Sequence, residues 1–75
     1  MAEANTFGVH ENTRADEALR IAMERERLAR EFYLRCAAIV SDPGVRSMFE
    51  FLAKEEGRHF ELLEREHDRF VVGEN

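Results

Sequence analysis

One break divides this 75-residue chain. Ser41-Asp42-Pro43-Gly44 is its only punctuation, and long helical patterns run up to it from both sides. Proline has a fixed φ and no N–H, so it suits the first position of a helix and cannot continue one already under way. Asp42 is then the cap of the helix that follows, and Val40 ends the one before. The spacing predicts helix one over 14–40, a turn at 41–43 and helix two over 43–70. Residues 1–13 read as a flexible arm and 71–75 as a frayed tail. Asn12 or Thr13 can cap helix one, with Asp16 and Glu17 well placed in its first turn. Two helices of about 27 residues are each about 40 Å long at 1.5 Å per residue. Joined by so short a turn, they form an antiparallel hairpin.

Each helix carries a stripe at alternating steps of three and four residues, the side that faces other helices. In helix two it reads Val45, Phe49, Leu52, Glu56, His59, Leu63, Glu66, Phe70. In helix one it reads Ala15, Leu19, Ala22, Glu26, Ala29, Tyr33, Cys36, Val40. A second row, Ile21, Leu28, Phe32 and Ile39, widens the first face, while Arg20, Glu24, Arg27, Glu31 and Arg35 form the solvated side. Charged or titratable side chains interrupt the middle of both stripes: Glu26 in one, Glu56 and His59 in the other. A buried carboxylate is costly unless it is paired or coordinates a metal. Counted outward from the turn, Glu26 lies about 15 residues before it, and Glu56 and His59 about 15 and 18 after, so all three come level to within about one helical turn.

A lone hairpin cannot enclose both stripes. The simplest remedy is a second copy related by a two-fold axis, which gives a four-helix bundle. The fold class expected is therefore all-α, a two-helix hairpin that dimerises into such a bundle. The polar set then doubles to four glutamates and two histidines. Two helices supplying Glu and two supplying Glu-x-x-His is the arrangement of di-iron and di-manganese carboxylate bundles. Glu and His three apart point the same way along a helix, so both can reach one metal pair.

Composition excludes several other classes. The chain is 44% hydrophobic and 36% charged, which suits a folded domain rather than a disordered one. A net charge of −5 with no basic stripe argues against nucleic acid as a partner. No apolar run is long enough to span a bilayer, and the N-terminus lacks the order of a secretory signal. The single cysteine, Cys36, excludes an intramolecular disulfide and any CxxC metal site, so a cytoplasmic location is expected.

Two stretches carry a family resemblance. "ALRIAMERERLAREFYLRCA", with Glu26 seven residues ahead of Tyr33, and "DPGVRSMFEFLAKEEGRHFELLE", with its turn and EExxH, resemble the two halves of a rubrerythrin-type hairpin. The likeness spans roughly residues 15 to 67 and places the chain near the ferritin-like superfamily. It implies metal ligation by Glu26, Glu56 and His59, with Tyr33 as a hydrogen-bond partner beside them. The usual family member has four helices in one chain, and rubrerythrin proper adds an iron–sulfur domain that one cysteine cannot build. Two-helix chains of this kind are similar to encapsulated ferritins, which build ferroxidase centres between subunits inside protein nanocompartments. The resemblance thus implies two iron ions per dimer, oxidation of Fe(II) by dioxygen or peroxide, iron storage or oxidative-stress protection, and an encapsulating shell protein as a further partner.

The remaining candidates read more simply. Glu64 and His67 repeat the Glu-x-x-His spacing, but Glu64 lies off the stripe and no helix-one carboxylate matches its depth. Glu24 is the neighbour that would replace Glu26 as ligand, and Glu66 with His67 would make a secondary site two turns beyond His59. Cys36 reads as a small core residue, His10 as solvated, and Phe32, Phe49, Phe51, Phe60 and Phe70 as packing. Two rival functions stand beside the first: a helical oligomerisation module whose polar layer only sets register, and a site for manganese or zinc, which these ligand types also suit.

Overall fold

The computed structural model describes residues 7–71. Within them the chain forms two helices and no strand: α1 (Ala15–Ile39) and α2 (Pro43–Val71). Residues 1–6 of the expected arm and 72–75 of the expected tail lie outside the described residues, and Val71, the first residue of that tail, belongs to α2. No helix is long and apolar enough to cross a membrane.

Local chemistry accounts for the ends. Neither Asn12 nor Thr13 caps α1. The Thr13 hydroxyl instead accepts a hydrogen bond from the His10 N–H at 2.7 Å, and the Thr13 N–H donates to the His10 carbonyl at 2.9 Å. These bonds close a turn one residue too early for a cap. Arg14 takes the cap position, and its N–H donates to the Glu17 carboxylate at 3.1 Å. At the far end the Val40 N–H donates to the Cys36 carbonyl, and the Arg46 guanidinium satisfies the Val40 carbonyl at 3.0 Å. Asp42 caps α2 as the sequence predicts, accepting from the Val45 N–H at 2.9 Å, with Pro43 at the first helical position. Exposed pairs such as Arg27 with Glu24 and Glu31 are screened by water and add little.

The segment before α1 turns back along it. Phe7 and Gly8 both have positive φ (57° and 95°). The Phe7 ring lies beneath the Arg25 guanidinium at 3.8 Å, and a Cβ on Gly8 would meet the Ile21 side chain at 3.6 Å.

The helices meet at small residues. Ala37 and Ala53, 6% and 2% exposed, are the buried side chains among those described. Tyr33 stacks on Phe49 with ring centroids 6.1 Å apart and meets Phe32 edge-on at 5.6 Å. The stripes are only half covered: Leu19, Ala22, Ala29, Tyr33 and Cys36 of α1 and Phe49, Leu52 and Leu63 of α2 are half-buried. The outer row is barer still, with Phe32 59% and Ile39 75% exposed. The body is a slab measuring 48 × 36 × 12 Å, one helix deep given a helix diameter of about 10–12 Å.

Candidate metal centre

The short turn and the antiparallel pairing bring the interrupted stripes to one depth. Glu26 projects from the middle of α1, Glu56 and His59 from the middle of α2, one turn apart. One ligand atom from each lies within 4.8 Å of the others. His59 Nδ1 stands 3.5 Å from Glu26 Oε1 and 3.4 Å from Glu56 Oε1. Two ligands about 2.1 Å from a common ion and at right angles to each other are about 3 Å apart, so small rotations would close this group on a cation.

Burial within the group is uneven. The side chains of Glu56 and Glu26 are 18% and 27% exposed, whereas His59 is 55% exposed on the uncovered face. Oxygen Oε1 of Glu26 is fully buried and accepts no hydrogen bond. A hydrogen bond with Glu56 raises the Glu26 pKa above its ordinary value of 4.5. Partial burial and the Glu56 charge push the same way, and the nearby His59 opposes them. An orphaned acceptor, an adjacent carboxylate and an imidazole form a donor set that fits a divalent cation, which would offset the repulsion between the carboxylates.

The sign of the pH dependence follows. A carboxyl whose pKa is raised in the folded chain contributes stability that is complete below its unfolded value and is lost as pH rises through the folded value. Metal-free Glu26→Gln should therefore gain on wild type in thermal melts as pH climbs from about 4 to neutrality. Equal pH profiles for the two chains would contradict the raised Glu26 pKa. Glu24 and Glu66, held low by hydrogen bonds from Arg27 and Arg69, shift in the opposite sense but are present in both chains and cancel.

Tyr33 makes ring contacts with Phe32 and Phe49. The remaining sequence candidates fall elsewhere. Glu24 is exposed and paired with Arg27. Glu66 is exposed and bonded to Arg69, and His67 is half-buried outside the cluster. Cys36 is a half-buried free thiol, and the His10 ring accepts a local hydrogen bond from the Asn12 N–H. Gly57, beside Glu56, carries no side-chain chemistry and escapes a search for ligands. Its one signal is a glycine inside a helical pattern.

Residues 3–67 match the family model described as Rubrerythrin, which is most of the chain. No curated protein matches the chain. No solved structure matches it either.

Proposed function

The chain belongs to the rubrerythrin family, and from that premise we propose that it is a non-haem dinuclear iron protein. Its reaction is the oxidation of Fe(II) by dioxygen or peroxide at a site shared between two copies, in the service of iron storage or protection from oxidants. The observation that carries this reading is the meeting of Glu26, Glu56 and His59 within 4.8 Å in an otherwise apolar stripe. Two ferrous ions release two electrons, enough to take dioxygen to peroxide or peroxide to water. A pair of ions therefore suits either oxidant better than a single one.

One chain offers two carboxylates and one imidazole, too few for two ions. A second copy doubles the set and covers the face on which His59 is now exposed. In that arrangement Glu26 and Glu56 would hold the ions and offset their charge, with His59 as a further ligand. A cation competes with the proton on Glu26, whose pKa is raised, so uptake should release protons and strengthen as pH rises.

The direct test is an anaerobic titration with Fe(II), followed by air. Saturation at two ions per two chains, then a near-ultraviolet ferric absorbance on oxidation, is the expected result. A chain that takes up no Fe(II), with its oligomeric state intact, would instead be an oligomerisation module.

A further inference from the structure

A groove of about 390 Å³ runs between the helices, lined by Glu26, Arg30, Gly57, Phe60, Glu61 and Glu64 among others. Glu26 belongs both to this groove and to the carboxylate–imidazole cluster, whereas Glu56 and His59 do not line it. Gly57 and His59 are two residues apart, about 200° around the helix axis. The groove and the exposed imidazole therefore open on opposite faces of the hairpin.

Gly57 is the residue that needs explaining. It sits in the middle of α2, where glycine weakens a helix relative to alanine. Its φ is not in the left-handed region, so the backbone does not require glycine. A Cβ there would stand 3.5 Å from Arg30 Nε and 3.7 Å from Arg30 Cδ, ordinary contact distances. Alanine would fit. A longer side chain would grow into the groove.

We propose that this groove is the route by which divalent cations reach Glu26, and that the absence of a long side chain at position 57 keeps it open. The inference rests on the reading of the cluster as a shared iron centre. Once a second copy covers the stripes, the approach past His59 closes, and the groove still reaches Glu26 from the other face. Its charge suits a cation. Arg27, also on the lining, is held by Glu24 and Glu31, leaving Glu26, Glu61 and Glu64 against Arg30. A surplus of carboxylates in a narrow space draws hydrated cations toward it.

Stopped-flow mixing of the full chain with Co(II), without oxidant, tests this through the visible absorbance that appears as the metal is bound. Gly57→Ala should load at the wild-type rate. Gly57→Leu should load roughly tenfold more slowly to the same final amount, as expected when access waits on side-chain movement. Equal rates for Gly57→Leu and wild type would overturn the route. The double variant Glu61→Gln/Glu64→Gln leaves the space open and decides the matter if the leucine chain folds poorly. It should load roughly tenfold more slowly at low salt and lose most of its salt dependence. Wild-type rate and salt dependence in that variant would overturn the route as well. Failure of the wild-type chain to bind Co(II) at equilibrium would instead strike at the centre itself.

Discussion

Glu56→Ala should keep its helices and lose its ferric absorbance altogether. Glu56 is the most enclosed of the three clustered residues, and its Oε1 stands 3.4 Å from His59 Nδ1. Removing it leaves one carboxylate and one imidazole per chain, too few to hold an ion against water. Loss of a group that merely supports a ligand costs about 10–100-fold in metal affinity, so losing a ligand should cost more than about 100-fold. Alanine is the best helix former, and the deletion relieves carboxylate repulsion, so circular dichroism should show no loss of helix. Glu24→Ala is the matched control, since Glu24 is exposed and bound to Arg27. Isothermal titration with Fe(II) separates the two variants. Retained binding in Glu56→Ala, or equal losses in both, would remove the cluster from the chemistry.

The second large effect concerns the uncovered stripe. Cys36 is half-buried there, more than two turns from Glu26, so a change at that position leaves the ligands alone. Cys36→Arg places an unpaired charge where the second copy would pack, at a cost of several kcal/mol. Each 1.4 kcal/mol is tenfold in affinity, so association should weaken on the order of 1,000-fold. Mass measured by light scattering should fall from at least twice 8.8 kDa to that of one chain. Metal uptake should fall with it, while Cys36→Ser keeps both. A wild-type chain that is monomeric with and without metal would end the argument for a shared site.

Much of this architecture is legible in residue order because it depends on local rules. Asp42 and Pro43 declare the start of α2 through capping and a missing N–H, and the structure uses both. The common depth of Glu26, Glu56 and His59 follows from helical rise and a short turn, and the three side chains do come together. The start of α1 was harder to read. Thr13 is a good capping residue spent on His10, while Arg14 relies on Glu17 three residues on, a spacing that signals a cap even with an unpromising residue ahead of it. Contacts set by tertiary placement leave still less trace. Nothing in the pattern foretells Phe7 beneath Arg25 with positive φ, or Arg30 lying over Gly57. For Tyr33 the family resemblance implies a place beside the centre, and the structure shows its ring stacked on Phe49.

If copies pair as proposed, a slab one helix deep with Phe32, Ile39 and Phe51 open to water would make its own abundance a control. Pairing is second order in chain concentration. When single chains predominate, halving expression would leave about a quarter of the pairs. A cell could then silence such centres by modest dilution during growth and restore them by modest induction, with no inhibitor or modifying enzyme involved.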